Sequence, residues 1–234
     1  MNTTPQLPLA LRPAPDFRFD TFVGSPETVE ALREIAEGSP GFAYLSGPAG
    51  SGKTHLALAT VQNAAAQGIA VQYVPLERLK GKASEGLVGL ERLGLIVLDN
   101  LETLLSARED EIALFDFHNR ARASGSAVLY VARETPAALP PGLPDLRSRL
   151  GQCTQLILPR VDDVLRHVIL QRKAEARGWL LDDAAIGFLL RRVGRDMASM
   201  SALLDRLDRA SLAEQRRVTV PFIRAFLEQD AAGA

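Results

Sequence analysis

Residues 47–54, GPAGSGKT, constrain this chain more than any other stretch. They fit the pattern G-x-x-x-x-G-K-[ST], and they join an apolar run, GFAYLSG (41–47), to a helical pattern that runs to about Gln67, with Gly68 as its stop. A glycine-rich turn between a strand and a helix aims backbone amides at an anion and adds the positive potential of a helix N-terminus. In that context Gly47, Pro48, Ala49, Gly50, Ser51 and Gly52 form a phosphate cradle. Lys53 reaches the β- and γ-phosphates of a nucleotide, and Thr54 holds Mg²⁺.

A loop of this kind needs a sheet behind it, and the chain supplies the strands. IAVQYVPL (69–76), LGLIVLD (93–99), SAVLYVA (126–132) and TQLILP (154–159) are short apolar runs, and helical patterns separate most of them, notably Glu109–Ser124. Continuous apolar strands alternating with helices predict an α/β fold, with a parallel sheet covered on both faces. The third run ends in Asp99, an acid at a strand end that helps Thr54 place Mg²⁺. The next residue is Asn100, whose amide cannot accept a proton from water.

After Pro159 the strand pattern stops. Val161, Val164, Leu165, Val168 and Ile169 follow helical spacing, with Asp162 as cap and Gly178 as terminator. Residues 182–194 and 196–211 repeat that character, and a last helix follows Pro221. The expected organisation is a proline-rich tail over 1–15, an α/β body over 16–159 and a helical unit over 160–234.

Composition narrows the functional classes. Net charge is −1; 14 basic and 17 acidic residues precede Arg160, and 13 and 11 lie from it onward, so neither half is a basic arm for nucleic acid. Cys153 is the sole cysteine, which excludes an internal disulfide and fits a reducing compartment and a small packing role. His55, His118 and His167 lack metal-ligand spacing and read as structural or surface residues. Thr54–Leu76 carries no charged side chain, but Gln62, Asn63, Gln67, Gly68, Gln72 and Pro75 interrupt it, so it is no membrane span. With no secretory signal at the N-terminus, a soluble cytoplasmic protein is expected.

A phosphate-binding loop with a helical C-terminal unit is the pattern of AAA+ proteins. Within them, the chain resembles the Hda family of DnaA-related regulators over nearly its whole length. The residues that carry the resemblance are FDTFVGSPETVEAL, GPAGSGKTHLALA, LDNLE, LPDLRSRL and DMASMSALLDRLDRAS. It implies a five-stranded parallel sheet with a small all-helical lid, and bound ADP or ATP with Mg²⁺. It also implies Arg149 as an arginine finger that reaches into a neighbour's nucleotide site, and Arg195 as a lid contact to this chain's own nucleotide. A planar guanidinium suits both tasks, since it makes paired hydrogen bonds to phosphate oxygens.

The stretch QLPLAL (6–11) places Leu7, Leu9 and Leu11 on one side of an extended segment. With Gln6 it resembles the peptide by which that family grips the β sliding clamp of DNA polymerase III. The implied partners are DnaA and the clamp, with DNA contacted weakly or indirectly, no membrane, and homo-oligomer formation left open. At the end of SAVLYVA, where DnaA-like proteins carry an uncharged or acidic sensor, this chain has Arg133 and then Glu134. Together with Asn100 this predicts a site that binds nucleotide and hydrolyses it poorly; Glu102, beyond the strand end, is expected at the surface. An autonomous ATPase such as a helicase loader would need robust turnover. A DnaA-like initiator would need a DNA-binding domain beyond the lid, for which the chain leaves no room, and a P-loop kinase would not need the lid.

Overall fold

In the computed structural model the described residues are 17–192 and 197–232. Five strands, β1 (Phe42–Ser46), β2 (Val71–Pro75), β3 (Leu95–Asp99), β4 (Ala127–Ala132) and β5 (Thr154–Ile157), form one sheet in the order β2-β3-β4-β1-β5, every neighbouring pair parallel. Each lies inside one of the apolar runs read from the sequence, shortened by a residue or two at the ends.

Alternation of side chains across the pleat gives the sheet two apolar faces. Tyr44, Ile96, Leu98, Val128 and Tyr130 point to one face, which is covered by α3 (Ala83–Gly86), α4 (Arg108–Ser124) and α5 (Pro144–Gly151). Ala43, Leu45, Leu95, Val97, Leu129 and Val131 point to the other, under α1 (Pro26–Ala36) and α2 (Lys53–Ala66). Every residue of β3 and β4 is buried, whereas the edge strands β2 and β5 are partly exposed. Central strands buried on both faces are what made the runs legible without alternation.

Beyond the sheet come α6 (Asp163–Glu175), α7 (Asp183–Arg192), α8 (Met197–Glu214) and α9 (Val220–Ala232). Asp162 caps α6, its carboxylate accepting the Leu165 amide at 2.7 Å, and Gly178 takes the left-handed conformation at φ +71° past its end. These four helices enclose their own apolar cluster, with Leu170, Trp179, Ile186, Leu189, Met200, Leu207 and Phe222 at its centre. The C-terminal unit is thus an all-helical lid with a core separate from those of the sheet.

Two of the residues read as structural behave so. Cys153 is buried in the core beneath α4 and α5. His118 is buried on α4, its Nδ1 within hydrogen-bonding distance of the Tyr130 hydroxyl at 3.0 Å. Burial, then the guanidinium groups of Arg149 and Arg122, lower its pKa to about 4. Since the unfolded imidazole takes up a proton near pH 6.5 and the folded one does not, stability should fall as pH drops from 6.5 toward 4. The loss at the acid end is about 3 kcal/mol from this one group. Urea unfolding across that range should show a shallower slope for His118→Gln than for the parent protein.

Candidate functional site

The turn between β1 and α2 is built so that few other residues could replace its glycines. A Cβ on Gly47 would lie 2.7 Å from the Leu158 carbonyl oxygen. Gly52, at φ +94°, precedes the first turn of α2, and a Cβ there would meet Cε2 of Phe22 at 2.6 Å. Such tight, left-handed backbone is open to glycine and costly for anything larger. The hydroxyls of Ser46 and Ser51 are buried with no partner among the described residues. Lys53 is wrapped into the loop, its Nζ donating to the carbonyl oxygens of Gly47 at 2.5 Å and Pro48 at 2.8 Å. Burial lowers its pKa, opposed first by Glu102 and then by Asp99.

Thr54 and Asp99 meet, as their spacing in sequence could not show. Thr54 Oγ1 donates to Asp99 Oδ2 at 3.0 Å, the Tyr73 hydroxyl donates to the same oxygen at 2.7 Å, and the Asn100 amide donates to Oδ1 at 2.8 Å. Asp99 is therefore buried yet held by three donors. Burial, and then the bond to Asp99, raise the pKa of Tyr73, so its proton stays on the phenol. A hydroxyl and a carboxylate are hard oxygen ligands of the kind Mg²⁺ takes while phosphates and waters complete its shell. The residues present fit that ion, with Thr54 and Asp99 as its holders. Tyr73 escaped sequence reasoning because strand register is needed to bring it beside Asp99; it lies on β2, where Pro75 is the direct partner of Asp99.

Two neighbours differ from expectation. Asn100 is left-handed, with φ 61° and ψ 50°, and its Nδ2 donates to Glu77 Oε2 at 3.0 Å. Asparagine is among the few residues that enter this conformation readily, so the backbone supplies its own reason for an amide here. Glu102 is only partly at the surface that its position past the strand end suggested, its side chain 29% exposed. Its Oε1 lies 3.0 Å from Nε of Arg133, and its Oε2 is buried without a hydrogen-bond partner among the described residues.

Arg149 sits apart, on α5. That helix is anchored by Glu111, which accepts the Leu143 amide at 2.7 Å, and by Arg147, which donates to the carbonyl oxygens of Leu139 and Pro140. The Arg149 side chain is half-buried, and its guanidinium has no hydrogen bond or ion pair to another described residue. Arg195 and Gln6, Leu7, Leu9 and Leu11 lie outside the described residues.

Known proteins share both parts of this arrangement. Residues 30–133, which carry the loop, Asp99 and Arg133, match the family described as IstB-like ATP binding protein. Residues 163–227 match the family described as Hda, lid domain. An uncharacterized protein of Haemophilus influenzae is 36% identical over 226 residues, spanning 95% of this chain and 98% of that one. The chain belongs to the Hda-like, DnaA-related AAA+ family. Its fold is shared with domain III of the Thermotoga maritima replication initiation protein DnaA, with TM-score 0.75 and 20% identity, covering 92% of this chain and 97% of that one. AMPPCP-bound DnaA from Aquifex aeolicus gives 0.67 and 21%, covering 83% and 65%. The Thermotoga maritima RuvB branch migration motor gives 0.65 and 21%, covering 90% and 71%. As an Hda-like AAA+ protein the chain binds nucleotide. Among the described residues no helix is long and apolar enough to cross a membrane.

Proposed function

We propose that this protein is a negative regulator of replication initiation. It holds ADP, docks on the DNA-loaded sliding clamp, and stimulates hydrolysis of the ATP bound to DnaA by presenting Arg149. The observation that carries this reading is the state of Arg149: a guanidinium without a partner among the described residues, on a helix pinned at its start by Glu111 and Arg147. A cation held this way is available to a phosphate on another molecule. The chain's own site, with Asn100 after Asp99, lacks the usual acid to activate water, and a missing general base costs roughly 10²–10⁴ in rate.

In this assignment residues 47–54, Asp99 and Arg195 contact the nucleotide, with residues 16–159 as body and 160–234 as lid, in a cytoplasmic protein. Mg²⁺, placed by Thr54 and Asp99, supplies charge neutralisation on the phosphates. The inward turn of Glu102 favours a second reading, an autonomous ATPase, although the ion pair with Arg133 engages one of its two oxygens.

The deciding experiment measures hydrolysis of DnaA-bound ATP with this protein present, with and without clamp loaded on DNA. Stimulation that depends on the clamp is expected; its absence would overturn the assignment, and strong turnover by this protein alone would favour the second reading. The tail should supply the clamp contact without supporting the fold. Changing Gln6, Leu7 and Leu9 together to Ala should remove clamp pull-down and leave the melting temperature unchanged. Clamp captured at undiminished yield would remove the tail from the mechanism.

A further inference from the structure

The pair Glu102–Arg133 stands at the phosphate end of the candidate site. Ser46 and Ala132 are register partners at the ends of β1 and β4, so Gly47 and Arg133 both follow at the same end of the sheet. Glu102 follows β3, whose Leu98 faces Tyr130 of β4, and so emerges at the same sheet edge. Its Oε1 is 3.0 Å from Arg133 Nε, while its Oε2 is buried with no partner. Of the two carboxylates that act on Lys53, Glu102 acts more strongly than Asp99. Glu102 thus commits one oxygen to the Arg133 guanidinium, at the same end of the sheet as the loop lysine on which it also acts.

We propose that Glu102 and Arg133 form a terminal-phosphate filter, in which Glu102 engages the guanidinium that would otherwise bind a γ-phosphate and thereby makes the site prefer nucleoside diphosphate. This rests on the nucleotide-binding assignment of residues 47–54, and it names the groups that set the preference of that site. A β-phosphate lies in the loop itself and gains from Lys53 whether or not Arg133 is occupied. A γ-phosphate extends past the loop toward β3 and β4. There it meets a cation whose charge is already shared with Glu102, so the third phosphate gains less from Arg133 than a free guanidinium would give.

Calorimetric titration of the full chain with ADP and with AMPPCP, in Mg²⁺, tests this. Glu102→Gln, which keeps the side-chain shape, should raise affinity for AMPPCP by about tenfold, as a modest gain of one charge-assisted contact implies, and leave ADP affinity unchanged. Arg133→Ala should give no such gain, and Glu102→Gln combined with Arg133→Ala should return AMPPCP affinity to the parent value. An equal rise for both nucleotides would make Glu102 a general influence on Lys53, and a gain that survives loss of Arg133 would make it simple repulsion; either overturns the filter. No change in Glu102→Gln overturns it as well. If the parent chain binds neither nucleotide, the phosphate-loop assignment falls and the filter with it.

Discussion

Arg149→Ala should leave ADP binding and clamp binding intact, yet lower the stimulated hydrolysis of DnaA-bound ATP by a factor on the order of 10³ or more. Negative charge spreads over the γ-phosphate oxygens as the phosphoryl group transfers. A guanidinium delivered by a docked partner stabilises that charge only in the complex. In this protein α5 is fixed by contacts from Glu111 and Arg147, whereas Arg149 spends none of its donors on described residues. Lysine should rescue little, because an ammonium lacks the planar two-point contact. The check is a single-turnover assay on DnaA loaded with ATP. Full stimulation by the variant would remove Arg149 from the mechanism. Loss of stimulation together with loss of ADP binding would make it a structural residue of this chain. Its neighbourhood gives that second outcome a route, since Arg149 lies near enough to buried His118 to lower that residue's pKa.

Lys53→Ala should weaken ADP binding by roughly two orders of magnitude or more, the scale of losing charged hydrogen bonds to phosphate in a partly buried site. Two effects have to be separated. The ammonium closes the loop on itself through the carbonyl oxygens of Gly47 and Pro48, so its removal also loosens the loop. Calorimetry gives the affinity and a thermal melt without nucleotide gives the loop's share. An affinity near the parent value would refute the assignment of residues 47–54. A fall in affinity with an unchanged melt would place the effect on the phosphate contact.

The sheet was legible because its central strands are buried on both faces, so β3 and β4 read as unbroken apolar runs. The loop was legible because its glycines answer to steric demands that only local sequence can meet. The cap at Asp162 and the stop at Gly178 were likewise local. What could not be read depends on residues brought together by register. Tyr73 is 26 positions from Asp99 and shares a hydrogen bond with it. Glu102 and Arg133 belong to separate strand ends, and a residue just past a strand reads as solvated until its partner strand is known. The chemistry of Asn100 is legible in the sequence, whereas the left-handed backbone that also explains its presence is not. Helix α5 was visible only as the segment LPDLRSRL, too short and too polar for periodicity to mark.

The left-handed turn at Asn100 also bears on how such a site could change over generations. An acid placed beside Asp99 is the shortest imaginable route from a nucleotide holder to a hydrolase. Glutamate at 100 would be forced into φ 61°, a conformation that costs an ordinary residue roughly 1–2 kcal/mol. Aspartate tolerates that backbone better, but it would replace the amide that donates to Glu77 with a carboxylate set against it at hydrogen-bonding range. Each single step is therefore penalised, one by conformation and the other by like charge. On the aspartate route a change at Glu77 would lift the like-charge penalty, whereas the glutamate route keeps its conformational one. The turn thus acts as a barrier in sequence space as well as a bend in the chain.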